Sequence, residues 1–516
     1  MIIERINKRI KFTLLGLGII ALLTFITIVV LISVYYDSYS YPNDYAVVFD
    51  AGSSSSKMYV YTWKSGLSAN EGDEVVVSEI YKCTKYPGID KLKTKEDTII
   101  YFNDCLQNAS KKVPNERKNR AHILLAATAG MRLLDASDKE QTDKIIDYIR
   151  KHFSNSEFLY KSDNQVKVLT GKEEGLYGWI TANYFADKFS SKTDPVSTIG
   201  ILDMGGASTQ ISFVPSGKIQ NQTIINKFYE KSKIYGVDYE TYSHSFLCWG
   251  VNEFQNIYQT YLVIKSNYQE KVDAPCFNLN ATIDFSSASI LDSNCANGLL
   301  FKYPLPINLT AISQKKFYAL NGTSDPGKCA QEISALLPDM NCPYGSNKCS
   351  FNQAFLPDLT DKNKFYAFSN FYYKLANTEM LSGQKLMKNL DGLKLESEKL
   401  LNLSFLELTD INQKLDEKIF EDYLKSTCFF NYYLLTIFSR YRITKFDNVE
   451  FLTKVNGNSI GWSLGYMIDL INRADFLPYE SPPRKLQPEF FIPAIIICSV
   501  FTILALISVL FCVFGL

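Results

Sequence analysis

Apolar residues recur along the chain with two different spacings. Short runs that are wholly apolar or alternate with polar residues are typical of β-strands, whereas longer segments with helical spacing are typical of α-helices. The strand-like runs are DYAVVFD, KMYVYTW, AHILLAATAG, QVKVLT, STIGILD and QISFVPS, and the helix-like segments are KEDTIIYFNDCLQNASKK, KEQTDKIIDYIRKHF and EEGLYGWITANYFADKF. Because strands and helices alternate, the pattern predicts a layered α/β fold.

Two of these strands end on an aspartate and continue into a turn of glycine and small residues. VFDAGSSSSKMYV contains Asp50, and LDMGGASTQISF contains Asp203. A carboxylate beside exposed backbone amides suits a phosphate held through a divalent cation, since the carboxylate alone would repel the phosphate. Neither loop has the spacing of a P-loop or of a dinucleotide-binding fingerprint. Either loop alone could be an ordinary hairpin turn, but the matched pair predicts two half-sites that grip a polyphosphate across a cleft.

Both ends of the chain carry long apolar segments. Residues 14–34 contain no charge, and residues 490–516 form the second segment. Each is long enough to cross about 30 Å of hydrocarbon as a helix. The basic residues before the first segment are Arg5, Lys8, Arg9 and Lys11. The positive-inside rule therefore predicts a cytoplasmic amino terminus, and we expect two retained membrane helices rather than a cleaved signal peptide and a lipid-anchor signal.

The region between these segments has the features of a secreted domain. Nine of the eleven cysteines lie there, and in an oxidising compartment such cysteines form disulfides, although spacing alone leaves their connectivity open. Six Asn-x-Ser/Thr sequons lie there as well, and they are candidates for glycosylation. The asparagines are Asn108, Asn221, Asn280, Asn308, Asn321 and Asn402.

The charges of the chain cancel. Lys and Arg number 54, Asp and Glu number 54, and no long run of either sign occurs. A nucleic-acid partner is not expected, because proteins that bind the phosphate backbone carry a basic patch.

Five segments, in order, resemble the motifs of the ectonucleoside triphosphate diphosphohydrolases, or apyrases. They are DAGSSSSK at Asp50, ATAGMRLL at Ala127, GKEEGLYGWI at Gly171, DMGGASTQ at Asp203 and GWSLGYM at Gly461. The resemblance covers the whole region between the apolar ends and extends to the two-helix topology of the cell-surface members. It implies two ribonuclease H-like α/β domains of the actin, sugar kinase and chaperone ATPase type, with the site in the cleft between them and a transmembrane helix at each end.

We expect the following division of the chain from the resemblance and the apolar segments. The parts are a cytoplasmic tail (1–11), a first transmembrane helix (12–35), a first ectodomain lobe (42–170 with 452–482), a second lobe (171–451) and a second transmembrane helix (490–516).

The resemblance assigns roles to the two loops. Asp50 and Asp203 would hold Ca²⁺ or Mg²⁺ through water molecules, with Thr128 near the water shell, although Thr128 could equally be the N-cap of the next helix. The phosphate-binding residues would be Ser53, Ser54, Ser55 and Ser56 in the first loop and Gly205, Gly206 and Ala207 in the second. Relatives usually have His at the position of Ser55, which leaves open the preference between tri- and diphosphates.

Hydrolysis needs a general base, which a carboxylate can supply. The three histidines are not expected to be catalytic, and they are His122, His152 and His244. Glu173 and Glu174 begin a helix, where adjacent side chains point about 100° apart, so only one can face the site. Such a pair is otherwise a solvated turn that the helix dipole favours. The resemblance selects Glu174 as the base, with Ser208 and Gln210 orienting the attacking water.

Further assignments follow from the resemblance. The nucleotide base would stack between Tyr373 and Tyr423, the latter where relatives have Arg, although both tyrosines could simply pack in a core. Trp462 is expected to pack near the site rather than to contact it. The implied disulfides are Cys83–Cys105, Cys248–Cys295, Cys276–Cys329 and Cys342–Cys349, and Cys428 has no partner at the expected position.

The sequence thus predicts a plasma-membrane enzyme with two membrane helices and an extracellular domain. Its expected activity is hydrolysis of nucleoside tri- and diphosphates to the monophosphate and phosphate, by in-line attack of a water that Glu174 activates. The alternatives are a nucleoside diphosphatase in an endomembrane lumen that supports glycosylation, and a non-catalytic nucleotide-binding receptor. The membrane helices also allow homo-oligomers.

Overall fold

A computed structural model of the chain describes residues 2–36, 43–67, 72–189, 193–217, 219–338, 341–473, 476 and 486–514. The chain forms two compact units. One contains the two terminal helices, and the other consists of Tyr45–Trp63 and Ser68–Leu477.

The elements have the following bounds. The helices are α1 (Ile2–Tyr36), α2 (Lys95–Lys112), α3 (Ala129–Ser137), α4 (Lys139–Ser154), α5 (Gly171–Phe185), α6 (Gln222–Phe228), α7 (Val251–Lys265), α8 (Ser287–Leu291), α9 (Leu309–Ser313), α10 (Pro326–Leu336), α11 (Asn370–Ser382), α12 (Leu390–Leu401), α13 (Phe405–Gln413), α14 (Glu421–Arg440), α15 (Trp462–Ile471) and α16 (Pro488–Phe514). The strands are β1 (Asn43–Ala51), β2 (Ser56–Lys64), β3 (Ser78–Lys85), β4 (His122–Ala127), β5 (Val166–Val168), β6 (Gly200–Met204), β7 (Ser208–Phe213), β8 (Tyr229–Ile234), β9 (Val237–Leu247), β10 (Lys271–Ala274), β11 (Thr282–Ser286), β12 (Phe317–Gly322), β13 (Phe365–Ser369), β14 (Val449–Phe451), β15 (Lys454–Val455) and β16 (Asn458–Ser459).

The terminal helices α1 and α16 pack against each other. The Thr502 hydroxyl donates a hydrogen bond of 2.6 Å to Thr24 Oγ1, and the Tyr35 and Phe491 rings stack with centroids 3.7 Å apart. By length and composition, Lys8–Tyr36 and Pro488–Phe511 can each cross a membrane. The two predicted apolar segments are therefore helices of spanning length.

The central unit contains the same strand arrangement twice. The first sheet has the order β3-β2-β1-β4-β5, and the second has the order β14-β13-β6-β7-β9-β8. In the first, β4 lies parallel to β1 and to β5. In the second, β13 lies parallel to β6 and to β14. Apart from the added β8, the second sheet repeats the first, which is the duplicated ribonuclease H-like topology that the sequence predicts.

The duplication puts the two aspartates in equivalent positions. Asp50 pairs with Ala126 near the end of β1, and Asp203 pairs with Phe368 near the end of β6. Each is followed by a short loop and a returning strand. Because the carboxyl ends of parallel strands share one edge of a sheet, each aspartate lies beside the end of the next parallel strand.

Helices α5 and α15 pack closely on each other within this unit. A Cβ atom at Gly465 would lie only 1.9 Å from the Tyr177 carbonyl oxygen, so the helices can approach this closely only with glycine there. The Gly465 N–H also donates to the Thr181 hydroxyl at 2.8 Å. This contact fixes α5 and α15 relative to each other, and the first residues of both helices belong to the site described below.

Cysteines in the central unit form four disulfides. The bonded pairs are Cys83–Cys105, Cys248–Cys295, Cys276–Cys329 and Cys342–Cys349, the same pairs that the resemblance implies. Cys428 is a buried free thiol, and burial raises its pKa to about 12. The sequon asparagines Asn221, Asn280, Asn308 and Asn402 are exposed, while Asn108 and Asn321 are half-buried.

Candidate active site

The two Asp-Gly loops have the same backbone geometry. In the first, the Gly52 N–H donates to the Ser55 carbonyl oxygen at 2.9 Å, and in the second the Gly205 N–H donates to the Ser208 carbonyl oxygen at 2.9 Å. Each bond begins two residues after the aspartate and spans three residues. The matched sequence pattern therefore corresponds to a matched turn.

The second loop is held by the residues at the start of α7. The N–H groups of Cys248, Val251 and Asn252 donate to the carbonyl oxygens of Ala207, Gly205 and Gly206, each at 2.9 Å. Because a trans peptide unit points its C=O and N–H in opposite directions, these bonds also fix the next amide N–H groups along the loop. Such oriented amides form an anion-binding nest.

Glycines let other segments lie directly against both loops. A Cβ atom at Gly250 would lie 2.4 Å from the amide nitrogens of Ala207 and Ser208, and one at Gly88 would lie 2.6 Å from the Ser53 carbonyl oxygen. The loops also face each other, because a Cβ atom at Gly206 would lie 3.2 Å from Ser53 Oγ. Ser53 and Gly206 thus bring the two predicted half-sites together.

Asp50 and Asp203 are half-buried residues whose carboxylate charges are poorly compensated. Burial raises the pKa of each to about 7. For both, the Lys57 ammonium is a nearby cation that opposes this shift. The side chains of Trp462, beside Asp50, and of Ser369, beside Asp203, also lower these pKa values.

These carboxylates fit a divalent cation. Asp203 Oδ1 is buried with no hydrogen-bond partner among the described residues, and such an atom is costly unless a ligand satisfies it. Two buried carboxylates are also stabilised by a cation between them. Within the described residues, His, Cys, Asp and Glu side chains form no group of three or more that could hold a metal.

The three residues predicted to carry catalysis lie in one hydrogen-bonded network. Arg132 Nη2 donates to Glu174 Oε2 at 2.8 Å and to Ser208 Oγ at 3.2 Å. Gln210 Nε2 donates to Ser208 Oγ at 2.8 Å and to Ser245 Oγ at 3.0 Å. Ser208 and Gln210 are almost fully buried, so the network has one defined geometry.

Glu173, the neighbour of Glu174, caps the start of α5. Its carboxylate accepts hydrogen bonds from the Thr170 N–H and hydroxyl, and the Thr170 hydroxyl accepts one from the Glu173 N–H, which together form a capping box at the start of α5. It also pairs with Lys167 at 2.7 Å. Glu173 thus fixes the first turn of α5, while Glu174, one residue later, faces Arg132.

A cavity of about 1400 Å³ opens beside Asp50. Tyr373, Ser369 and Lys57 are among the residues that line it. The Tyr373 ring is 56% exposed, which leaves its face accessible. Tyr423 is also exposed, but its ring lies over Lys374, whose Nζ is 4.6 Å from the ring centroid. The two tyrosines therefore differ in their surroundings.

Comparison with known proteins decides the family. The family model described as GDA1/CD39 (nucleoside phosphatase) matches residues 39–488. Ectonucleoside triphosphate diphosphohydrolase 3 of Homo sapiens is 32% identical over 479 residues, covering 89% of this chain and 85% of its own length. The chain belongs to the GDA1/CD39 family.

Other relatives agree with this assignment. Ectonucleoside triphosphate diphosphohydrolase 8 of Mus musculus is 30% identical, covering 97% of this chain and 97% of its own length. The crystal structure of nucleoside triphosphate hydrolases from Neospora caninum has a TM-score of 0.60 at 14% identity and covers 86% of this chain and 95% of that chain, which shows a shared fold. As a GDA1/CD39 protein with these relatives, the chain is an enzyme with nucleotide phosphatase activity.

Within this GDA1/CD39 protein, the other predicted residues have mixed surroundings. Thr128 occupies the N-cap position of α3, but its hydroxyl donates to the Ala51 carbonyl oxygen at 3.3 Å instead of capping the helix. Of the histidines, His244 is half-buried, and its loss of solvent lowers its pKa to about 3. His122 Nε2 lies 3.0 Å from the Phe476 carbonyl oxygen. Both environments agree with structural roles.

Sequence reasoning missed three side chains in or beside the site of this GDA1/CD39 protein. Arg132 lies within the ATAGMRLL segment, and Lys57 ends the DAGSSSSK segment, so both stood inside a recognised motif. Ser369 lies in none of the five segments, and only the register of β13 beside β6 reveals it.

Proposed function

We propose that the protein hydrolyses extracellular nucleoside tri- and diphosphates to the monophosphate and phosphate, with a divalent cation and with Glu174 as general base. The observation that carries the proposal is the network in which Arg132 joins Glu174 to Ser208, beside the second loop. A protein that only bound nucleotide would need the loops but not a carboxylate in this position. The network therefore favours an enzyme over a receptor.

The mechanism is in-line attack of water on the terminal phosphoryl group. Ser208 and Gln210 accept and donate hydrogen bonds that orient the water, and Glu174 takes its proton. The oriented amides of the loop at Gly205, Gly206 and Ala207, and the serines of the facing loop at 53–56, stabilise the charge on the equatorial oxygens.

The metal site of this proposal is formed by Asp50 and Asp203, acting through water, with Thr128 close to the water shell. When bound, Ca²⁺ or Mg²⁺ supplies positive charge that neutralises the phosphate oxygens. Lys57 adds a fixed positive charge beside both carboxylates. The two aspartates would hold the ion, and because water rather than a side chain attacks the phosphorus, the reaction needs no covalent phosphoenzyme.

The nucleotide base is the remaining part of the substrate. We infer that it stacks on the exposed face of Tyr373 at the cavity wall. Tyr423 remains a candidate for the second aromatic contact, and its neighbour Lys374 would then lie behind the stacked rings.

The side of the membrane on which the central unit lies is inferred from the basic residues and the disulfides. Basic residues in the first turns of α1, before its apolar part, favour a cytoplasmic amino terminus, which leaves the central unit outside the cytoplasm. The four disulfides agree with an oxidising compartment. We propose the plasma membrane, and hydrolysis of ATP added to intact cells distinguishes it from an endomembrane lumen.

A substrate panel tests the activity. Full-length protein in detergent is assayed for phosphate release from ATP, ADP, UDP and GDP, with Ca²⁺ or Mg²⁺ and with a chelator. We expect release from both tri- and diphosphates that the chelator abolishes. Release from diphosphates alone would favour the lumenal diphosphatase, and no metal-dependent release from any of the four would contradict the proposal.

A further inference from the structure

The segment 293–295, which follows α8, is attached to the residues that hold the second Asp-Gly loop. Cys295 forms a disulfide with Cys248, whose backbone N–H donates to a carbonyl oxygen of that loop. Ser293 Oγ donates to the carboxylate of Glu253, which lies in the first turn of α7. The segment therefore has a fixed place beside the second loop.

Asn294, in the middle of this segment, binds α3. Its Nδ2 donates to the Leu133 carbonyl oxygen at 2.9 Å and to Ser137 Oγ at 2.8 Å. A carbonyl oxygen can only accept, so the amide N–H groups are the donors. The Leu133 side chain also packs against the apolar core that contains Cys248 and Cys295. The C-terminal half of α3 is thus attached to the part of the chain that holds the second loop.

The other end of α3 lies against the first Asp-Gly loop. The Thr128 N–H, at the N-cap, donates to the Ala51 carbonyl oxygen at 3.0 Å. A Cβ atom at Gly130 would lie only 2.8 Å from the Ser53 Cα atom, so the first turn of the helix touches that loop. Arg132 lies between the two attachments. Because α3 has only nine residues, about two and a half turns, a shift at either end moves Arg132.

The contacts of Arg132 are sensitive to such a shift. Its Nη2 donates to Glu174 Oε2 at 2.8 Å and to Ser208 Oγ at 3.2 Å, and its Nη1 donates to the Leu169 carbonyl oxygen at 3.2 Å. Two of these three bonds are at the long end of the range for hydrogen bonds, so a displacement of about half an ångström would break them. The position of α3 therefore decides whether the network forms.

We propose that Asn294 is a positioning residue that holds the C-terminal half of α3 and so keeps the guanidinium of Arg132 on the proposed base. The proposal rests on the function proposed above for Glu174. Helix α3 follows β4 of the first sheet, whereas the second loop joins β6 to β7 of the second sheet. Asn294 belongs to neither sheet, and it sets the spacing between these two parts of the site.

Two substitutions test the donor groups of Asn294. Asn294→Ala removes the amide, and Asn294→Asp keeps its shape but offers a carboxylate that can only accept hydrogen bonds. In full-length protein in detergent, with ATP and Ca²⁺ or Mg²⁺, we expect kcat to fall about 10-fold in both variants. This loss is smaller than the roughly 10²-fold cost of a misplacement of about 1 Å, because Arg132 itself remains. We expect little change in KM, since both phosphate loops keep their own hydrogen bonds.

Asn297→Ala is the matched control. Asn297 is half-buried like Asn294 and lies just beyond it in the chain. Its Nδ2 donates to the Leu291 carbonyl oxygen at 3.3 Å, and its Oδ1 accepts from the Leu299 N–H at 2.9 Å. Both bonds stay within residues 291–299, so the same change is made without loss of the bonds to α3. We expect wild-type kcat for it.

A double variant separates positioning from a merely structural role. Arg132→Ala removes the side chain that Asn294 is proposed to position, so the addition of Asn294→Ala should lower kcat no further. Residues that act independently have additive effects on free energy. If Asn294 only stabilised the fold, the same factor would be lost again in the double variant.

Losses of kcat in the Asn294 variants no larger than in Asn297→Ala, or a repeated loss when Asn294→Ala is added to Arg132→Ala, would overturn the role of Asn294 while leaving the enzyme's function intact. A wild-type protein that releases no phosphate from any nucleotide would instead contradict the proposed function, and with it the role of Asn294.

Discussion

Arg132 shows how one side chain can organise a site that is built from distant parts of the chain. It begins in α3, yet its guanidinium reaches Glu174 at the start of α5 and Ser208 at the start of β7. Its rigid fork of donors suits two acceptors at once, which a lysine cannot reproduce. Because Arg132 joins the proposed base to a residue that orients the water, it sets the distance between them.

Replacement of this arginine tests that role. For Arg132→Lys we expect kcat for ATP to fall about 10²-fold, since small misplacement of catalytic groups has costs of this size, while KM changes little. Steady-state kinetics of the full-length protein measure both values. Arg150→Ala is the control, because Arg150 Nη2 donates to the Val166 carbonyl oxygen away from the site. Equal losses of kcat in the two variants would argue against a specific role for Arg132.

The local pattern of residues singles out candidate site residues but not their contacts. Asp50 and Asp203 were singled out from their two loops and Glu174 from the resemblance, because each lies in a compact motif. The ion pair of Arg132 with Glu174 was not found, because it joins α3 to the start of α5, and a contact over such a separation is not written in either segment.

Helix α7 holds the backbone of the second Asp-Gly loop, which precedes it in the sequence. Its first residues bind the carbonyl oxygens of the second loop, and Gly250 at its N-cap lies against the backbone of Ala207 and Ser208. The direction of the loop amides is therefore set by a helix start rather than by the loop sequence alone.

Gly250→Ala tests this arrangement. A Cβ atom would lie 2.4 Å from two backbone nitrogens that cannot move aside independently. Overpacking of this kind costs about 1–3 kcal/mol, so we expect a lower Tm together with reduced kcat. At Gly217 a Cβ atom would meet nothing within 4 Å, which makes Gly217→Ala the control. If Gly250→Ala matched this control in both Tm and kcat, the loop would not depend on α7.

The whole central unit is a duplicated sheet in which the two halves have diverged in chemistry. Both halves supply an aspartate and a glycine turn with the same closing hydrogen bond. Only the second loop continues into Ser208 and Gln210, which reach the proposed base through Arg132. The repeat of strand, aspartate and turn was visible in the sequence, and the resemblance to a known family implied the duplicated fold. The added strand β8 and the sheet of β10, β11 and β12 were not predicted, because no motif marks them.

Because of this asymmetry between the halves, the proposed hydrolysis depends most directly on Glu174. The most direct measurement is kcat for ATP hydrolysis by full-length wild-type protein and by Glu174→Gln, with Glu140→Gln, an exposed first-turn glutamate of α4, as control. Loss of the general base is expected to lower kcat about 10²- to 10⁴-fold, with KM little changed and the control unaffected. A Glu174→Gln variant with the kcat of the wild type would contradict the proposed mechanism.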